Sequence, residues 1–281
     1  MLSSIEKSPS VLIQRLDGTI YDLNKLGFMI ISFDPPSPNW QHTFQQVGRY
    51  GSRLINSEVQ QLTIPLVFDA TANDNYDLEL QRLRLHQIFR SDEEFYVIST
   101  QLPYLRWKVV ADAFDIKQLD NFHMAKTVSV NLICADGYAE SVATTLTPFN
   151  YDSDQWGLGM NMPSDVDIGY VWNTPQIQFY NGSNIPLLAE EHPVIITFVG
   201  TAPNGIKLTN TTTNQVITVY RSLTKTDRLV WYGLVPTVND KQQYGNGLSD
   251  HGYLDFAVGW NQLELTGSTD FTISFETRFY Y

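Results

Sequence analysis

A mainly β chain of two domains is what this sequence predicts, on three observations. Apolar and polar residues alternate along most of its length, turn residues punctuate the runs, and a helical period emerges convincingly in one place only. With 281 residues the chain exceeds what a single core usually organises, and 43% apolar residues against 17% charged is a globular composition. Residues 1–140 are expected to form a β-sandwich with one covering helix, residues 141–170 to link and lead into a second domain, and residues 171–281 to form an antiparallel sandwich.

In the first domain the strand-like runs are 11–16, 26–33, 62–68, 95–98, 106–114 and 127–134. Asp17-Gly18, between the first run and Thr19, marks a hairpin, because a primed turn needs positive φ values that Asp and Gly tolerate. The helical segment is 73–89, where Tyr76, Leu80 and Leu83 form one stripe and Leu78, Leu85 and Phe89 form its neighbour. Asp74 and Asp77 sit in its first turn, where carboxylates complement the helix dipole. A stripe that wide is expected to cover the open face of a sheet.

Between 139 and 169 the alternation stops, and Ser, Thr, Asp, Asn, Gly and Pro take over, as in Thr147-Pro148-Phe149-Asn150-Tyr151 and Met162-Pro163-Ser164-Asp165. Beyond it, runs at 176–180, 194–199, 205–208, 216–220, 228–232, 253–256, 261–265 and 271–279 alternate with turn clusters such as Asn181-Gly182 and Pro203-Asn204-Gly205. Short strands at that spacing suit an antiparallel sandwich or jelly roll. No repeat period points to a solenoid or propeller.

The formal charge is −12 with a pI of about 4.7, and acidity is spread over both halves, 12 Lys/Arg against 17 Asp/Glu in residues 1–150 and 6 against 13 in the rest. Without a basic stripe the chain is a poor candidate for binding phosphates. The N-terminal Met1-Leu2-Ser3-Ser4-Ile5-Glu6-Lys7-Ser8-Pro9 lacks the apolar centre of a signal peptide, and no run has the length of a membrane span, so synthesis and residence in the cytosol are expected. The lone Cys134, in an alternating run, reads as a buried strand thiol.

Signals for chemistry are weak. The histidines, His42, His86, His123, His192 and His251, are scattered singly, and neither a metal-ligand spacing nor a Gly-x-Ser-x-Gly elbow occurs, so no metal, cofactor or catalytic residue is assigned. Glu190-Glu191 read as solvated neighbours rather than a facing glycosidase pair, and Gly157-x-Gly159 lacks the helix and lysine of a phosphate loop. Sugar rings stack on aromatics, and Trp156, Tyr170, Trp172, Trp231, Tyr232, Tyr244, Tyr253 and Trp260 are candidates, although aromatics also fill sandwich cores. Trp231 and Tyr232 are singled out; as strand neighbours they point to opposite faces, so only one of them need be exposed.

The order of features resembles the distal tail proteins of long-tailed bacteriophages of Gram-positive hosts. In the first half the matching segments are Gly27-Phe28-Met29-Ile30-Ile31-Ser32-Phe33, Val47-Gly48-Arg49-Tyr50-Gly51-Ser52-Arg53 and Ile64-Pro65-Leu66-Val67-Phe68. They continue with Ile88-Phe89 at the helix end, Glu94-Phe95-Tyr96-Val97-Ile98, Arg106-Trp107-Lys108-Val109 and Gly137-Tyr138-Ala139-Glu140-Ser141. In the second half they are Phe179-Tyr180-Asn181-Gly182, Ile206-Lys207-Leu208-Thr209-Asn210, Gly259-Trp260-Asn261 and Phe275-Glu276-Thr277-Arg278-Phe279-Tyr280-Tyr281. Trp172-Asn173-Thr174-Pro175 fits the usual start of the second domain only loosely.

The resemblance implies a non-enzymatic virion protein: a ring-forming (belt) first domain, a galectin-like second domain, and six copies closing around the tail axis in one ring or two stacked rings. Its implied partners are itself, the tail tube protein, the tail-tip hub protein and a receptor-binding protein, with DNA passing through the lumen unbound. Segment 35–56 is a candidate for a projecting arm that pairs between copies, with an internal loop as the alternative, and Gly48, Tyr50, Gly51 and Arg53 are the ring-interface candidates. Two other readings compete: a monomeric carbohydrate-binding module, and a wall-degrading hydrolase, which would require carboxylates or a nucleophile gathered in one groove.

Overall fold

The computed structural model describes residues 9–118, 124–150, 154–163, 166, 168–243, 245 and 247–281. Residues 1–8, His123, Tyr151, Ser164, Asp165 and Tyr244, which figure in the sequence expectations, lie outside them. The chain falls into two compact units, Met1–Glu140 and Ser141–Tyr281. Among the described residues no helix is long and apolar enough to cross a membrane.

The first unit contains β1 (Val11–Gln14), β2 (Ile20–Asp22), β3 (Phe28–Phe33), β4 (Asn39–Gln46), β5 (Ser52–Gln60), β6 (Leu62–Thr71), α1 (Asn75–Ile88), β7 (Phe95–Ser99), β8 (Leu105–Ala111) and β9 (Met124–Cys134). Strand β10 (Glu140–Ser141) lies at the boundary. The main sheet runs β2-β1-β7-β8-β9-β6-β3, and its two wings share one core. Val11, Ile13, Phe95 and Val97 from one wing meet Leu62, Ile64, Leu66, Phe68, Val128 and Val130 from the other. Burial of a large apolar side chain contributes about 1.5–3 kcal/mol, which favours folding the wings onto each other as the expected sandwich. Period-two alternation is cleanest in β6, where Leu62, Ile64, Leu66, Phe68 and Ala70 all point inward.

The expected hairpin forms at Asp17-Gly18, but its turn is not primed, since only Gly18 of these two residues has a positive φ. Arg15 and Thr19 pair across it, Gly18 takes a positive φ, and the Asp17 carboxylate accepts the Thr19 N–H at 2.8 Å. Helix α1 begins where Asp74, in an extended conformation, accepts the Asp77 N–H at 2.7 Å as its N-cap. Leu78, Leu85 and Ile88 bury its inner side, and Phe89 after its last turn meets Phe68, Phe95 and Phe114. The expectation of one broad covering stripe is corrected here: Tyr76, Leu80 and Leu83 are exposed. At 3.6 residues per turn they lie about half a turn from Leu78 and Leu85, so the two stripes are opposite faces.

The second unit contains β11 (Val171–Trp172), β12 (Gln176–Asn181), β13 (Ile195–Gly200), β14 (Ile206–Asn210), β15 (Gln215–Val219), β16 (Arg228–Tyr232), β17 (Val235–Val238), β18 (Lys241–Gln242), β19 (Gly259–Thr266) and β20 (Phe271–Glu276). Two antiparallel sheets, β11-β20-β13-β16-β17-β18 and β12-β19-β14-β15, make the sandwich that a galectin-like domain requires. Phe198, Trp231 and Phe275 from the first face Phe179, Leu208 and Leu263 from the second, with Phe179 and Phe275 ring centroids 5.7 Å apart. The run expected at 253–256 is not a strand: only Phe256 pairs, in an isolated bridge to Leu187. Segment 141–170, expected as linker, contributes Ala143, Trp156, Met160 and Tyr170 to buried positions in this unit, and its Thr145 hydroxyl donates to the Phe275 carbonyl at 2.7 Å.

Candidate self-assembly surface

Strands β4 and β5 pair only with each other, as a two-stranded antiparallel sheet separate from the sandwich. All eight residues of β4 are exposed, as are the first five of β5. An isolated hairpin is at best marginal in water, and exposed strand edges are the kind of surface that pairs with another chain.

Its side chains are sorted by face. Alternation along β4 places Trp40, His42 and Phe44 together, and the register sets Val59, Ser57 and Leu54 opposite them in that order. The His42–Ser57 hydrogen bond of 2.8 Å and the His42–Phe44 ring contact at 6.1 Å fix these residues on one side. The other side carries Asn39, Gln41, Thr43 and Gln45 opposite Gln60, Glu58, Asn56 and Arg53. A bulge between Thr43 and Phe44 leaves Ile55 unpaired and brings Leu54 opposite Phe44, which keeps the apolar side continuous.

The tip is the turn from Val47 to Gly51, closed by a Val47 N–H to Gly51 carbonyl bond of 3.2 Å. Gly48 and Gly51 hold left-handed φ values of 65° and 83°, and Tyr50 between them is 86% exposed. The sequence-predicted interface residues Gly48, Tyr50, Gly51 and Arg53 therefore all lie at one end of the arm. Reasoning from sequence missed Trp40, Phe44, Leu54 and Ile55, although the polar–aromatic alternation of Asn39-Trp40-Gln41-His42-Thr43-Phe44 carried the signal. At the root, Gly137 takes a φ of 73°, and a Cβ there would stand 2.5 Å from Val59 Cγ1 and 3.1 Å from the Gln60 carbonyl oxygen. Only glycine lets that loop pass so close to the arm.

Elsewhere on the first unit, β3 is an outer strand of the sheet with Met29 and Ile31 exposed, and the outer side of α1 offers Tyr76, Leu80 and Leu83.

The sugar-stacking candidates separate. Trp231 is 2% exposed and belongs to the core, so it cannot stack on a ligand, whereas Tyr232 is 59% exposed. Trp156 and Tyr170 are also core residues, and the Tyr170 hydroxyl donates to the Tyr180 carbonyl at 2.7 Å. Trp172 donates its indole N–H to the Gly169 carbonyl, Tyr253 is exposed, and Trp260 is partly exposed beside Tyr180. Among the described residues no three His, Cys, Asp or Glu side chains gather as metal ligands would. Glu190 and Glu191 are both exposed in a turn. Burial pushes the Cys134 thiol above its ordinary pKa. Among the described residues the ion pair with both partners largely buried, Arg106 with Glu140 across 2.5 Å, has the guanidinium stacked over Tyr96.

Residues 16–134, which include the arm, the helix and most of the main sheet, match the family model of the phage tail protein RIFT-related domain. No curated protein matches the chain. Among solved structures, the Dit (gp 19.1) protein of SPP1, described as a paradigm of the hub adsorption apparatus in phages that infect Gram-positive hosts, is 12% identical with a TM-score of 0.69. The alignment covers 97% of this chain and 100% of that one, so the two-unit fold is shared end to end. Chains from the phage p2 baseplate in its activated conformation, one structure with Sr and one with Ca, are 9% identical with TM-scores of 0.48, over 96% of this chain and 98% of theirs.

Proposed function

We infer that this chain is a distal tail protein of a long-tailed bacteriophage, a structural component of the tail tip or baseplate whose first unit closes with copies of itself into a ring. One observation carries the reading: a unit that matches a phage tail-protein domain bears a two-stranded arm with one apolar face whose strands pair with no other strand among the described residues. A head-to-tail contact between arm and neighbour closes only if its rotation divides the circle, and six copies is the number proposed. Gly48, Tyr50, Gly51 and Arg53 at the tip, together with the Trp40–Phe44–Leu54 face, form the contact.

In the virion the ring would sit between the last ring of the tail tube and the tail-tip hub, with the second units available to hold a receptor-binding protein. DNA would leave through the lumen. A chain of net charge −12 favours a wall to which phosphates do not adhere. Assembly would take place in the host cytoplasm. The role is structural, and no step of it is chemical.

Negatively stained images of the purified chain test this. Annular particles of uniform diameter with sixfold symmetry are expected, and antibody to the chain should label one end of tail particles; single small particles together with unlabelled tails would overturn the reading.

A further inference from the structure

We propose that the arm is stiffened at its root, so that it already points in its binding direction in the single chain, and that Pro35, Pro36 and Pro38 are the residues that stiffen it. The proposal rests on the ring reading and adds how the arm is made ready for a neighbour, whatever surface of that neighbour receives it.

The arm joins the main sheet by two legs. On one side β5 ends at Gln60 and β6 begins at Leu62, so Gln61 alone separates them. On the other side Asp34-Pro35-Pro36-Ser37-Pro38 connects β3 to β4. The last β3 pair is Phe33 with Leu66, and the first β4 pair is Asn39 with Gln60. Five residues therefore lie between these pairs on each side, 34–38 and 61–65, and neither leg has a spare residue with which to bow out.

Between those pairs the ladder is interrupted. No backbone hydrogen bond from residues 34–38 is found among the described residues, and the three prolines lack the N–H that would make one. Five ordinary residues without a ladder would be a hinge. Here every residue of the leg either is a proline, with φ fixed at about −65°, or precedes one, which confines it to extended conformations. Such a run is a short rod rather than a swivel. The opposite leg is braced from outside: Val59 and Gln60 are half-buried at the arm root, where the loop at Gly137 passes so close that a Cβ would stand 2.5 Å from Val59 Cγ1. Stiffness matters because a hinge must be frozen each time two copies meet. In a closed ring that cost recurs at every contact, and an arm fixed beforehand avoids it.

Light scattering and spin labels on the full-length chain test this. Pro35→Gly, Pro36→Gly and Pro38→Gly, introduced together, are expected to preserve the circular dichroism spectrum and the assembled mass while raising the concentration of half-assembly about tenfold. Alanine at the same three positions should give an intermediate shift, because alanine is freer than proline and stiffer than glycine. Equal shifts from the two variants would show that the proline rings act as a contact surface, and the proposal fails. For a direct reading, spin labels at Gln45→Cys on the arm and Gln101→Cys beside β7, both exposed positions, are placed in chains carrying Phe44→Glu with Leu54→Glu, which are expected to stay single; Cys134 is fully buried and stays unlabelled. The distribution of distances between the labels should be narrow with the prolines and about twofold broader with the glycines, and equal widths overturn the proposal. Rings from the wild type with an unmoved midpoint in the glycine variant also overturn it and leave the ring reading intact, whereas a wild type that stays single at every concentration overturns both.

Discussion

Gly137 shows how a single residue ties the arm to its unit. Its left-handed φ and the lack of room for a Cβ, which would stand 2.5 Å from Val59 Cγ1, act together, so Gly137→Ala adds backbone strain and a steric clash at the arm root. Each such strain costs of order 1–3 kcal/mol, and the melting temperature of the first unit should fall accordingly in calorimetry. A second contrast lies in adjacent residues. Trp231→Ala empties a core position and should cost about 3–5 kcal/mol, whereas Tyr232→Ala at the surface should stay within about 0.5 kcal/mol; equal losses in chemical denaturation would contradict the burial described. Their opposite orientation was legible from the strand period, but which of the two faces inward depends on where the partner sheet lies, and that information is not local. Cys134 extends the argument to reactivity: its buried thiol has a raised pKa, so thiolate is scarce even at mildly alkaline pH. A thiol reagent at pH 8 should label it only after unfolding, and rapid labelling of the native chain would refute this.

At the scale of elements, those that bury one face were legible in sequence, as β6 and β9 show by their inward alternation. From sequence, segment 35–56 reads as an arm or a loop because exposed strands leave no hydrophobic contrast between core and solvent, only a polar–aromatic one. Helix α1 was located within two residues at each end, yet its two stripes were read as one broad face; separating them needed the angular spacing of Tyr76, Leu80 and Leu83 from Leu78 and Leu85. Segment 141–170 reads from sequence as a linker and entry to the second domain because its buried aromatics, such as Trp156 and Tyr170, are isolated in sequence and cluster only after folding. The exposed arm makes a prediction of its own. Phe44→Glu with Leu54→Glu removes no buried contact, so the cooperative unfolding of each unit should persist while assembly is lost; a fall in stability as large as the loss of assembly would show that the arm packs within its own chain.

For the whole molecule, the order of motifs across both units already resembled a distal tail protein, and the fold shared with the SPP1 protein over 97% of the chain agrees with that architecture at only 12% identity. Sequence reads less well for the proposed contact between copies, since that would join residues of different chains. Charge enters at this scale too. A ring of acidic chains should show no mobility shift with double-stranded DNA at physiological salt, and tight binding would indicate a Lys/Arg-lined lumen instead. The claim on which all this depends is self-assembly through the first unit. Multi-angle light scattering of the full-length chain over a wide concentration range tests it most directly: the account predicts a plateau at six or twelve times 32.0 kDa, and a mass of 32.0 kDa at every concentration would contradict it.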